Sequence, residues 1–348
     1  MSMKSYRLPK LLIIIILLLT FVSACNQKPS PTEVPLITQT ETDEPAPTLV
    51  LETEPVQERV ILLAKQVSNP SLLAAVQGLL SALAEEEGLL LVTTDSLTIE
   101  PWDTSIKIVF AMETDTDLIS LTNFRPAVQF LALNMPDLVP SANLSLINIS
   151  LEGLQDQAFL AGYLAALTTE DYRVGVLVSS GDEIGQAVAQ SFFIGSQYFC
   201  GLCNSRFGPI EYYPKMALIA DPLQQQSWQS AADLLIARSA QTVYIQSEVL
   251  SPDLITYLTT NGVRIITPNN LLDVQQNQNW LATLQLNPLA SIELLWPKLL
   301  SGQGGFEGAY AVHLTDSNPD LLSEGRYAFF MKAFDDVVSG FIDTAGTN

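Results

Sequence analysis

The chain has 348 residues, 48% of them hydrophobic and only 15% charged, with 37 acidic against 16 basic side chains and a formal net charge of −21. At roughly 150 residues per domain this allows about two domains with a sizeable core, and the composition excludes a wholly disordered chain. The acid excess excludes nucleic acid as a partner, because phosphate backbones are bound through Lys and Arg.

Residues 1–10 carry Lys4, Arg7 and Lys10 and no acid, and residues 11–22 form an apolar run broken only by Thr20. Such a run is too short to span a bilayer and reads as the core of a secretory signal. It ends in Val22-Ser23-Ala24-Cys25, which resembles a bacterial lipobox. Residues 1–24 are therefore expected to be a lipoprotein signal peptide, with Cys25 lipidated after cleavage; the plainer alternative is a secretory signal with an incidental Cys25. Cleavage would leave 13 basic against 37 acidic residues, a net charge of −24. A chain so acidic would be held on the outer face of the cell membrane by its acyl chains and not by attraction to lipid head groups.

Over residues 25–56, Pro29, Pro31, Pro35, Pro45, Pro47 and Pro55 alternate with Thr and with six acids. Proline removes amide donors and like charges repel, so the segment is expected to be a disordered tether. The body opens with an apolar strand at residues 60–64. A helix at 71–87 follows, with Leu72, Leu73, Val76, Leu79, Leu80 and Leu83 at helical spacing and Gly88 at its end. Strands are expected at 89–93, 106–111, 127–134 and 144–149. Beyond them come helix 156–167, strand 173–178, helix 183–199, strand 217–220, helix 225–238, strand 242–246, helix 252–259 and strand 263–267. Apolar strands alternating with amphipathic helices predict an α/β fold with parallel sheets covered on both faces, and the number of units favours two lobes over one sheet.

Little in the chain points to catalysis. Cys200-Gly201-Leu202-Cys203 has redox-type spacing but follows a helix instead of opening one, so the helix dipole opposes thiolate formation. A local disulfide is the expected state, with free thiols as the alternative. Ser301-Gly302-Gln303-Gly304-Gly305 lacks the Lys-Ser/Thr of a phosphate-binding loop. His313, the only histidine, lies in a strand-like run and is expected to be a satisfied structural residue. One histidine and three cysteines leave few options for a zinc centre, and no Gly-x-Ser-x-Gly elbow is present. Neither enzymatic activity nor a metal or cofactor is expected.

The stretch Asp156-Gln157-Ala158-Phe159-Leu160-Ala161-Gly162, followed by Arg173-Val174-Gly175-Val176-Leu177, resembles the basic membrane protein (BMP) family. Members are lipid-anchored substrate-binding proteins of ABC importers, often for nucleosides. Ser191-Phe192-Phe193-Ile194-Gly195 is similar to the family's Gly-Phe-x-x-Gly segment, and Leu281-Ala282-Thr283-Leu284 sits where its late strand would. The resemblance implies a type I periplasmic-binding-protein-like fold of two Rossmann-like lobes. Lobe 1 would span 57–150, completed by about 281–315, and lobe 2 would span 151–280, completed by 316–348. It also implies a small-molecule solute, an ABC permease as membrane partner and a monomer. The family's acidic and aromatic ligand contacts have no counterpart in Ser68-Asn69-Pro70-Ser71-Leu72 or in Ile266-Thr267-Pro268-Asn269-Asn270, and its paired glycines are replaced by Ser179-Ser180. An alternative therefore stands beside the importer reading: a surface sensor or interaction module that has lost its ligand pocket.

Open parallel sheets bind ligands at the carboxyl ends of their strands. On that rule the candidate ligand-binding residues are Ser68, Asn69, Asp95, Glu113 and Asn134 in lobe 1. In lobe 2 they are Ser179, Ser180, Asp182, Gln246, Ser247, Asn269 and Asn270. Mostly neutral hydrogen-bonding groups suit a small polar solute such as a sugar or nucleoside. Phe110, Trp102 and Tyr244 are the aromatics that could face it.

Overall fold

The computed structural model describes residues 57–65, 67, 69–97, 103–113, 117–205, 211–269 and 278–346. The expected signal peptide, Cys25 and tether lie outside the described residues, as do Ser68, Trp102 and Asn270.

β1 (Arg59–Ala64) is buried over its four central residues, as a strand covered on both faces must be. α1 (Pro70–Glu86) begins on a proline and is capped by Asn69, whose Oδ1 accepts from the Leu72 amide at 3.0 Å. Its buried stripe, Leu72, Val76, Leu80 and Ala84, has the spacing of one helix face. β2 (Leu90–Thr94), β3 (Ile106–Met112), α2 (Leu118–Phe124), β4 (Gln129–Leu133) and β5 (Leu144–Asn148) complete this part of the chain.

The second part runs through α3 (Leu151–Thr168), β6 (Val174–Ser179), α4 (Glu183–Cys200), β7 (Lys215–Ile219), α5 (Gln225–Ala237), β8 (Thr242–Ile245), α6 (Pro252–Thr260), β9 (Arg264–Thr267) and β10 (Trp280–Asn287). The final third adds α7 (Leu289–Leu300), β11 (Glu307–Ala309), β12 (Ala311–Ser317) and α8 (Glu324–Val338).

One sheet has the order β11-β5-β4-β3-β1-β2 and the other β12-β10-β9-β8-β6-β7. Each carries the 2-1-3-4-5 strand order of a doubly wound sheet, so the fold is α/β with two Rossmann-like lobes, as expected. Among the described pairs only β10 with β12 is antiparallel.

The allocation of the last third differs from expectation. β10 does not complete lobe 1; it pairs parallel with β9 as the fifth strand of the second repeat, and β12 pairs against it. Only α7, which packs on α1 and β3, and β11, which pairs with β5, return to lobe 1. The chain therefore crosses between lobes near residues 149–151, 287–289 and 309–311.

α3 is buried along most of its length and crosses α4 closely. Glycine makes this possible: a β-carbon on Gly195 would fall on the Phe159 carbonyl, and one on Gly162 on the Phe192 carbonyl. Just past α4, Cys200 and Cys203 are joined as a disulfide, with Cα atoms 5.0 Å apart. Phe110 and Tyr244 do not face a cleft. Both are buried, Phe110 stacked on Trp296 at 6.1 Å and Tyr244 on Phe192 at 6.2 Å, because both lie on strand faces covered by helices. His313 is not satisfied as expected: on β12 opposite Gln285, its Nε2 is buried without a hydrogen-bond partner, and desolvation holds its pKa down.

Candidate functional site

The strand order reverses between β1 and β3 in one sheet and between β6 and β8 in the other, and the crevice beside such a reversal is where doubly wound sheets bind ligands. A cleft of about 220 Å³ opens there between the lobes. From lobe 1 it receives Asn69 after β1, Met112 and Glu113 at the end of β3, and Asn134 after β4. From lobe 2 come Ser247 and Glu248 after β8, with Pro268 and Asn269 after β9. Ile149, Leu286 and Tyr310 lie at the three crossings, so the cleft is bounded by the segments about which the lobes would rotate.

Local structure fixes several of these side chains. Asn69 spends its Oδ1 on the α1 cap. Glu113 and Asn134 both stand at positive φ, 45° and 53°, which Asn tolerates more readily than Glu. The Asn134 amide donates to the Ile147 carbonyl at 2.8 Å. Asn269 donates through Nδ2 to Ser247 Oγ at 3.0 Å. Gln157, on α3, is held at both ends: its Nε2 donates to the Leu284 carbonyl at 2.6 Å, and its Oε1 accepts from the Tyr244 hydroxyl at 2.9 Å. Burial raises the Tyr244 pKa, so that hydroxyl remains a donor.

Tyr310 is the single residue between β11 and β12, with its amide donating to the Asn148 carbonyl at 3.0 Å. Its ring is 3% exposed and its hydroxyl has no hydrogen-bond partner. Burial, and then the nearby Glu113 carboxylate, push its pKa up, so the hydroxyl stays protonated. Among the described residues lining the cleft there is no Lys, Arg or His, whereas Glu113 and Glu248 are both there.

Of the sequence-predicted residues, Asn69, Glu113, Asn134, Ser247 and Asn269 come together here. Asp95 follows β2 at the edge of its sheet and does not reach the cleft. Ser179, Ser180 and Asp182 are also outside it. Asp182 caps α4 by accepting from the Gly185 amide, and the Ser179 hydroxyl donates to it. Those bonds, Ser179's first, lower the Asp182 pKa. Gln246 is buried and ties β8 to β6 by accepting from the Ser179 amide at 2.9 Å. The sequence reading missed Glu248, Gln157 and Tyr310. Glu248 stands one residue beyond the strand end that was named, and Gln157 lies inside the family-like stretch. Tyr310 is flanked by Ala309 and Ala311 in a run that reads as one strand, so nothing in the sequence marks it as a crossing.

A larger hollow, about 580 Å³, is lined by residues around the turn before β6 together with Phe199, Gln241 and Arg326. It lies at the amino ends of lobe 2 strands, and its Arg173 is already paired with Asp171 at 3.0 Å. Among the described residues no cluster of three or more His, Cys, Asp or Glu could hold a metal ion, and no helix is long and apolar enough to cross a membrane.

No protein-family model matches the chain, and no curated protein matches it. Solved structures do. An ABC transporter solute-binding protein from Conexibacter woesei DSM 14684 superposes with a TM-score of 0.58 at 15% identity, over 82% of this chain and 98% of that one. A transcriptional activator of the comK gene from Bacillus halodurans gives 0.54 at 13% identity, over 82% and 99%. At these identities the likeness is one of fold: the chain has the periplasmic-binding-protein-like architecture of two mostly parallel sheets with interleaved helices.

Proposed function

We propose that this chain is an extracytoplasmic lipoprotein, anchored through Cys25, that closes its two lobes on a small polar solute and presents it to an ABC-type permease. It acts by binding and not by catalysis, and it is a divergent relative of the BMP family. Tyr310 carries the reading. A buried hydroxyl without a partner costs about 1–3 kcal/mol, and Tyr310 lines the cleft, where closure of the lobes on a solute would offer it one. The shared architecture with a solute-binding protein, the lipobox at Cys25 and the family-like stretch over residues 156–195 support it.

The cleft argues for a solute smaller than a nucleoside. Its volume of about 220 Å³ is below the range usual for drug-sized ligands, and with Phe110 and Tyr244 buried neither can stack on a base. Thermal denaturation against nucleosides, bases, sugars, vitamins and amines tests the reading. A solute at a hundredfold excess over its Kd should add about 2.7 kcal/mol of stability. No shift from any of them would favour the surface sensor that has lost its pocket.

A further inference from the structure

We infer that lobe 2 carries a second binding site, a groove between α5 and α6 that takes a neutral ring of a mono- or oligosaccharide. It goes beyond the solute cleft, with which it shares no lining residue. The groove has a volume of about 460 Å³, within the range usual for small-molecule sites. One wall is aromatic and fixed in advance. Trp228 and Tyr257 meet edge to face with ring centroids 5.8 Å apart. The Tyr257 hydroxyl donates to Asp233 Oδ1 at 2.5 Å and accepts from Gln229 Nε2 at 3.4 Å, so its half-buried ring is held at the far end. A ring already held offers an apolar face without the entropic cost of ordering it on binding. Trp228 is only 6% exposed, and its Nε1–H has no partner among the described residues, although that nitrogen is not sealed from solvent. A buried indole normally donates to something, and this one lines the groove.

The polar groups around that wall are half-used in a way that suits hydroxyls. Asp253, exposed in the first turn of α6, has a carboxylate with no partner among the described residues. Asn261 has spent its Nδ2 on the Tyr257 carbonyl at 2.8 Å and Gln225 its Nε2 on Gln229 at 3.4 Å, which leaves an amide oxygen on each. Thr260 adds a hydroxyl with no partner among the described residues. The groove thus offers donors, acceptors and an aromatic face together. A sugar ring meets all three, because each hydroxyl both donates and accepts while the C–H face packs on the aromatic wall. An ammonium ion would leave the Trp228 donor unmatched, and an anion would meet Asp253 with no Lys, Arg or His among the described lining residues. The volume equals about fifteen water volumes, enough for one or two rings, with the rest of a longer chain in solvent.

The test is titration calorimetry on the full chain in a detergent without sugar head groups. The probes are glucose, cellobiose, maltose and chitobiose, set against glucuronate as the acidic counterpart of glucose and decaproline as a peptide that also packs on aromatic grooves. At least one neutral sugar should bind about tenfold or more tightly than glucuronate or decaproline. Asp253→Ala should weaken that binding by about tenfold or more while lowering Tm by no more than about 3 °C, because the residue is exposed and gives up only its place at a helix end. Trp228→Phe keeps an aromatic body in the core and removes the indole donor, so it should weaken binding by a similar factor. Should that variant fail to fold, Asp253→Ala decides alone. Decaproline binding while every sugar fails, or glucuronate binding as tightly as glucose, would overturn the assignment to neutral sugars. A sugar whose binding falls in Tyr310→Phe but not in Asp253→Ala occupies the cleft, which would overturn the second site and leave the solute reading standing. If no neutral sugar binds, the inference is wrong.

Discussion

Asp156 shows how a single buried carboxyl can set a pH dependence away from the cleft. It stands on the second turn of α3, where the Thr344 hydroxyl, near the end of the chain, donates to its Oδ1 at 2.7 Å. Burial is the largest influence and pushes its pKa up to about 6; the Thr344 bond opposes the rise and Glu152 adds to it. With the folded value above an unfolded value near 4, the folded chain holds the proton more tightly. The carboxyl's stabilising contribution is thus complete below about pH 4 and lost as pH rises through about 6. Discounted for partial solvent access, the effect is on the order of 1–2 kcal/mol. Asp156→Asn retains an oxygen for Thr344 and removes the charge. It should gain that much stability at about pH 8 and almost none near pH 4, as measured by denaturant unfolding at both. Equal differences at the two pH values would show that ionisation of this carboxyl is not the cause.

At the level of elements, the α3–α4 crossing is the least forgiving contact in lobe 2. Gly195→Ala drives a methyl into the Phe159 carbonyl, which is backbone and cannot turn aside, so the helices must separate. A loss of about 3 kcal/mol or more, or failure to accumulate folded protein, is expected. Gly78 is the matched control. It is exposed within α1 with open space where a β-carbon would stand, so Gly78→Ala should gain about 0.5–1 kcal/mol through helix propensity. Urea melts of both variants check the pair, and similar effects would refute the steric account. This crossing was partly legible in the sequence, since the small residues around Gly162 and Gly195 carry the family resemblance. The strands and α1, α4, α5 and α6 were legible from apolar runs and helical spacing. α2 and α8 were not, for α2 is only seven residues long and α8 buries only Phe330, Ala333 and Val337 among described residues.

For the molecule as a whole, the strand order follows from the alternation of apolar strands and helices, but lobe membership does not. β10 is apolar enough to suit either sheet, and only its pairing with β9 decides. The rule that ligands sit at strand carboxyl ends found Asn69, Glu113 and Asn269, yet it also picked Asp95, on the edge strand β2, and Asp182, which follows a strand beside the reversal but is engaged in capping α4. The rule tells neither an edge strand nor a capping residue from a ligand contact. Tyr310 was invisible because a crossing is a property of tertiary arrangement. Charge, by contrast, can be read without the fold. Residues 57–348 hold 12 basic and 31 acidic side chains, a net −19, so the body is repelled by anionic lipid. If the chain is anchored at Cys25 as proposed, its attachment depends on acyl chains alone, each buried CH₂ contributing about 0.8 kcal/mol. Washing membranes with high salt should then release none of it, detergent should release all of it, and mass spectrometry should find the amino-terminal peptide beginning at an acylated Cys25. Release by salt, or a chain starting at any other residue, would show that the anchor has been assigned wrongly, and the cleft would then have to be read without a membrane partner beside it.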